Sequence, residues 1–181
     1  AISASADTIC DGTNVIYTAT PLTNAGSSPT YTFRVNGVVE QSGASNTFAT
    51  STLETGDNVS VAITSTDGCT GPVSIATAPP IVVIPNPVAE LQLTANPSCA
   101  ADTILALANS TNGVLPGAIY DFIYNGTSAL ASTTPSLELP SAAVPVVNDG
   151  DNIRVVITNT LGTYSCSNAS SSSAPRSEEH T

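Results

Sequence analysis

The stretch Tyr31-Thr-Phe-Arg-Val-Asn-Gly37 (YTFRVNG) returns 89 residues later as Tyr120-Asp-Phe-Ile-Tyr-Asn-Gly126 (YDFIYNG). In both copies a large apolar residue stands at every second position, the spacing of a strand with one buried face. In both, Asn-Gly follows where a tight hairpin turn needs positive φ. The same offset carries Cys10 onto Cys99, Val15 onto Ile104, and ISASADTIC at 2–10 onto LQLTANPSC at 91–99. Further along, GDNVSVAIT at 56–64 matches GDNIRVVIT at 150–158, an offset of 94, so the second copy holds five extra residues in between. Pro140 to Val147 falls there, and Cys69 then aligns with Cys166 in order. Ordered matches over this length imply a tandem duplication.

Each copy reads as short strands between turn residues. In the first, strands are predicted near 2–7, 13–20, 30–35, 38–42, 46–51, 58–66 and 72–77. Val15, Tyr17 and Ala19 alternate with polar neighbours, as do Tyr31, Phe33 and Val35, and Val59, Val61 and Ile63. Seven such segments at this spacing imply a β-sandwich. The expected fold is all-β, with two tandem Ig-like (PKD-like) β-sandwich domains end to end. The first spans 1–84 and the second 89–175, with a proline-rich junction at about 77–88, part of which can serve as the last strand of the first copy. Its prolines remove backbone donors and favour extended chain. The tail Arg176-Ser-Glu-Glu-His-Thr181 reads like an in-frame translation of a DNA-sequencing adapter and is set aside as non-native or disordered.

Composition narrows the function. The chain has 181 residues and is 41% hydrophobic, but only 4% aromatic, with neither Met nor Trp. Such cores are thin and suit narrow sandwiches better than an enzyme with a deep pocket. Polarity comes from 48 Ser plus Thr, against 14 acids and three Arg, with no Lys. A net charge of −11 excludes nucleic acid as an expected partner, since phosphate binding needs Lys and Arg. It also disfavours anionic lipid. No apolar run reaches the length of a membrane-spanning helix, so direct membrane insertion is not expected. No signal peptide is recognisable, which reads as a mature region or an internal fragment.

Catalytic chemistry lacks its parts. Once the tail is set aside with His180, neither His nor Lys is left, and a Ser nucleophile has no usual base. No catalytic residue and no cofactor is expected. Asn148-Asp-Gly-Asp-Asn152 offers Asp149 and Asp151 as calcium ligands, but the full ligand loop is missing, and Asn, Asp and Gly also make a turn into the next strand. Tyr31, Phe33, Tyr120 and Phe122 could form a carbohydrate platform, but alternating aromatics more often fill a core. Val38, Val39, Tyr124 and Leu130 could expose apolar surface to a partner.

The succession Cys10-Asp-Gly-Thr-Asn-Val15, Tyr31-x-Phe33-x-x-Asn36-Gly37, Leu53-x-x-Gly56-Asp57-x-Val59 and Thr64-Ser65-x-x-x-Cys69 resembles the Ig-like or PKD-like repeats of large secreted Bacteroidota surface proteins of adhesin or gliding-associated type. The resemblance covers both copies, although Cys99-Ala-Ala replaces Cys-Asp-Gly in the second. It implies a non-catalytic stalk or spacer on the cell surface. The implied partners are neighbouring repeats of the same protein, with surface glycans or other cells beyond them. A carbohydrate-binding module and a virion fibre or decoration repeat are the alternatives.

Four Cys with no CxxC pair favour disulfides in an oxidising compartment over zinc. Two connectivities are open. Intradomain bridges would join Cys10 to Cys69 and Cys99 to Cys166. However, Cys10 precedes the second strand and Cys69 follows the sixth, at opposite ends of strands that run the same way. Strands of this length span about 20 Å, and a bridge needs Cα atoms within about 7 Å. The other solution is a Cys10–Cys166 bridge across the junction, with Cys69 and Cys99 bonded to neighbouring repeats.

Overall fold

A computed structural model describes residues 1–21, 27–65, 74–94, 104–110, 113–139, 141 and 151–173. The expected turn at Asp149, the insert at Pro140–Val147 (save Ser141), Cys69, Cys99 and the tail lie outside the described residues. The described chain is all-β and divides into two compact units, Ala1–Ile84 and Pro85–Thr181.

The first unit contains β1 (Ile2–Ala4), β2 (Thr8–Cys10), β3 (Val15–Ala19), β4 (Thr30–Val35), β5 (Val38–Gly43), β6 (Thr47–Thr50), β7 (Val59–Thr64), β8 (Ser74–Thr77) and β9 (Val82–Ile84). A three-stranded sheet, β1-β3-β6, and a four-stranded sheet, β5-β4-β7-β8, are antiparallel throughout. The alternation read from sequence places the core. Val15, Tyr17 and Ala19 on β3, Tyr31 and Phe33 on β4, and Val59 and Val61 on β7 are all buried. Phe48 of β6 stacks on Phe33 at 5.6 Å and on Tyr17 at 6.4 Å between ring centres.

The first expected strand, 2–7, stops at Ala4, and a further strand that was not expected follows at Thr8–Cys10. β1 pairs antiparallel with β3, whereas β2 leaves that sheet and pairs in parallel with β9. The connector thus supplies a strand to the first unit. Ile81 and Ile84 are buried, Val82 N donates to Asp7 O at 2.9 Å, and Asp11 N donates to Ile84 O at 2.9 Å. On the other side of β9, the Thr55 hydroxyl accepts from Val83 N at 2.8 Å and donates to Val83 O at 3.0 Å.

The second unit contains β10 (Glu90–Thr94), β11 (Ile104–Asn109), β12 (Ile119–Tyr124), β13 (Thr127–Ser132), β14 (Ser136–Leu139), β15 (Asn152–Leu161) and β16 (Tyr164–Ser173). Its sheets are β10-β11-β14 and β13-β12-β15-β16, the same three-over-four arrangement. Phe122, Leu137, Leu139, Ile153, Val155 and Ile157 fill its core.

The duplication holds rung by rung. Ile2↔Ala19 becomes Leu91↔Ala108, and Val15↔Thr50 becomes Ile104↔Leu139. Val35↔Val59 becomes Tyr124↔Ile153. Even the register shift in the hairpin recurs, between Phe33 and Arg34 and between Phe122 and Ile123. A one-residue slip would turn every core side chain to solvent, so shared register means shared burial. The offset is 89 through β14 and 94 from β15, which puts the insert between those strands.

Candidate functional site

The polar residues that sequence singled out are largely occupied in holding turns. Asn36 and Asn125 sit at φ 51° and 45°, each followed by a glycine at φ 84° or 87°, as the Asn-Gly hairpin requires. Each asparagine is clipped to the strand that follows the next long loop. Asn36 Nδ2 donates to Asp57 Oδ1 at 2.7 Å, and Asn58 N donates to Asn36 Oδ1 at 3.0 Å. In the second unit Asn125 Nδ2 donates to Asp151 Oδ1 at 2.8 Å, and Asn152 N donates to Asn125 Oδ1 at 2.8 Å. Asp57 and Asp151 are equivalent at the offset of 94, and both carboxylates serve as turn clips.

Of the two calcium candidates, Asp151 is therefore engaged, and it also accepts from the Tyr124 hydroxyl. Asp149 lies outside the described residues. Among the described residues no group of three or more His, Cys, Asp or Glu could hold a metal ion.

Tyr31, Phe33 and Phe122 are buried, and Tyr120 is half-buried against the second core. They offer no flat exposed platform. The apolar candidates divide. Val38 and Val39 are exposed, at 63% and 51%, on the edge strand β5. Tyr124 and Leu130, offered as residues that could expose apolar surface, instead pack against the second core. Alternation already put Tyr124 on the face of Tyr120 and Phe122, and its clip to Asp151 adds a tertiary contact. Ile75, at 67% exposure, and the pair Leu161 and Tyr164 beside Gly162 are further exposed apolar residues that sequence did not single out.

One titrating group is perturbed. Burial, and secondarily the Asp57 carboxylate, push the Tyr17 phenol above its ordinary value of 10.0. Both causes disfavour the phenolate.

A buried polar side chain that sequence reading missed holds the start of the second unit. Asn159 has no solvent exposure. Its Oδ1 accepts from Leu115 N at 2.9 Å, and its Nδ2 donates to Pro85 O at 2.8 Å and Gly113 O at 2.5 Å. Gly113, at φ 78°, lies so close to the connector that a Cβ there would meet Asn86 O at 2.9 Å. The signal was present: Asn159 continues the inward row Ile153, Val155, Ile157, where a polar residue must find partners.

Cys10 and Cys166 are both disulfide-bonded. Cys10 stands opposite Ile84 in the β2–β9 ladder, and Cys166, buried at 2% exposure, stands opposite Asn159 in the β15–β16 ladder. At the offset of 94 shared by β7–β8 and β15–β16, Cys166 falls on Pro72 in the sequence, and Cys69 itself lies outside the described residues.

Among the described residues no helix is long and apolar enough to cross a membrane. No protein-family profile and no curated protein matches the sequence. Among solved structures, the chain is similar to the fibronectin(III)-like modules of Clostridium thermocellum CbhA, with 16% identity and a TM-score of 0.43 over all of this chain and 98% of that one. It is also similar to the central fibronectin-III array of RIM-binding protein, with 18% identity and a TM-score of 0.36, over 97% of this chain and 62% of that one.

Proposed function

We propose that this chain is a non-catalytic pair of structural repeats from a long extracellular cell-surface protein, acting as a stalk or spacer for adhesion. The observation that carries this reading is the ladder register, repeated rung for rung across two copies whose side chains differ. What the two copies share is a shape, whereas a binding pocket would be marked by a polar or aromatic cluster facing solvent. The shared polar residues Asn36, Asp57, Asn125 and Asp151 are bonded within turns. Oxidised Cys10 and Cys166 fit an oxidising compartment. The partners of such a spacer are the neighbouring repeats of its own protein, through which it sets the distance between a cell and whatever a distal tip contacts.

The test is replacement in the parent protein. Exchanging these repeats for two unrelated β-sandwiches of equal length should leave adhesion intact, and deleting them should shorten its reach. Loss of adhesion on replacement, together with glycan binding by the purified chain, would give the site to the repeats themselves and overturn the spacer reading.

A further inference from the structure

We propose that Asn36 and Asn125 are latent sites of spontaneous deamidation, and that the carboxylate clip within each unit holds them unreacted. Each unit supports this by itself, whatever the role of the whole chain. An asparagine followed by glycine is chemically labile, because glycine has no side chain to shield its N–H. Gly37 N attacks Asn36 Cγ, so that the N–Cγ bond forms and the Cγ–Nδ2 bond breaks. Ammonia leaves with the proton that Gly37 N gives up. Water then opens the five-membered imide at either carbonyl, leaving Asp or isoaspartate. The β4–β5 and β12–β13 turns need Asn-Gly for its positive φ, so both hairpins carry this liability.

The clip opposes it directly. Asn36 is held to one dipeptide through its backbone and both ends of its amide. Its N donates to Asn58 O at 2.8 Å, its Oδ1 accepts from Asn58 N at 3.0 Å, and its Nδ2 donates to Asp57 Oδ1 at 2.7 Å. Asp57 is itself fixed, because its Oδ2 accepts from Glu54 N at 2.8 Å. In the second unit Asn125 N donates to Asn152 O at 2.9 Å, and its amide makes the matching pair of bonds to Asp151 and Asn152. Ring closure needs Cγ to swing toward the glycine N, away from that dipeptide, while the backbone rotates out of its left-handed turn. Both side-chain bonds must break first, and the one to the carboxylate is charge-assisted, the stronger kind. Reaction would also destroy the clip. A carboxylate in place of the Asn36 amide would face Asp57 with no proton to share, and like charges at that distance repel. Isoaspartate would add an atom to the backbone beside the Val35↔Val38 rung and disturb its register.

The experiment is prolonged incubation of the full chain in mildly alkaline buffer, followed by peptide mapping that separates Asn from Asp and isoaspartate. The two sites are controls for each other within one molecule. A further Asn-Gly, Asn112-Gly113, has its Asn outside the described residues and is read as a separate peptide. In the folded chain Asn36 and Asn125 should persist, and in denaturant both should convert. Asp57→Ala should speed conversion at Asn36 by roughly tenfold, the worth of one charge-assisted hydrogen bond, and leave Asn125 at the wild-type rate. Asp151→Ala should do the reverse. Asp57→Asn serves should the Ala variant open the first unit. It keeps an acceptor of the same shape without the charge, and should give a smaller acceleration, at Asn36 alone. Hydrogen exchange at Val61 on β7 reports whether the first unit has stayed folded. An unchanged Asn36 rate in a folded Asp57 variant would overturn the proposal, because the turn backbone alone would then be the shield. So would conversion in the folded wild-type chain as fast as in denaturant.

Discussion

Asn159 shows what one side chain does in this fold. It occupies an inward position where the first unit has Ser65, and it satisfies Leu115 N, Gly113 O and Pro85 O together. Asn159→Ala strands those groups, and each unsatisfied buried group costs about 1–3 kcal/mol. We expect the second unit to lose at least about 2 kcal/mol in urea unfolding, while the first keeps its midpoint. Tyr17 makes the opposite contrast, because its equivalent in the second unit is the buried Ala106. The folded phenol has a raised pKa, so between the unfolded value of 10.0 and the folded value the native state holds a proton that the unfolded chain has lost. Stability is therefore full below pH 10 and falls as pH rises beyond it. Thermal melts from pH 9 upward should show the first unit weakening above pH 10, and Tyr17→Phe should remove that fall. These residues differ in legibility. Asn36 and Asn125 announced their turns because Asn-Gly is a local signal. The Tyr124 clip and the Asn159 socket depend on residues 27 and 74 positions away, which no local pattern reports.

At the scale of elements, period-two alternation was enough to place the long strands and their buried faces. Tyr31 and Phe33 on β4, and Val59 and Val61 on β7, needed no other signal. The short elements were harder. The strand read at 2–7 ran past the end of β1, and β2 was not read at all, because three residues carry no period and Ser5–Asp7 has no proline or glycine to mark the break. The connector was expected to lend a strand, but nothing in its sequence gave the parallel pairing of β9 with β2. That pairing makes a specific demand on the first unit. Ending the chain at Pro80 removes Ile81 and Ile84, which are 3% and 1% exposed. At about 1.5–3 kcal/mol for each buried aliphatic side chain, the shortened unit should lose roughly 3–6 kcal/mol. Denaturant unfolding of chains ending at 80 and at 88 measures this. Equal midpoints would mean that β9 is not part of the first core.

For the whole molecule, the repeat was fully legible as an ordered set of matches, and the insert was placed between the correct strands. What sequence could not supply was the position of the cysteines on their ladders, because order along the chain does not fix a rung. Two separate cores also imply separable unfolding. Phe122 is fully buried in the second core, and Phe122→Ala should cost that unit about 3–5 kcal/mol. With the chain reduced, calorimetry should then resolve an early transition for the second unit, while the first melts as before. The most direct test of the duplicated fold is a set of cross-strand proton contacts in solution. The pairs Phe33↔Val61 and Phe122↔Val155 are the same rung in the two copies. Nuclear Overhauser contacts should join the backbones of both pairs. Contacts in one copy only, or shifted by one residue in either, would contradict the claim that the chain builds one sandwich twice.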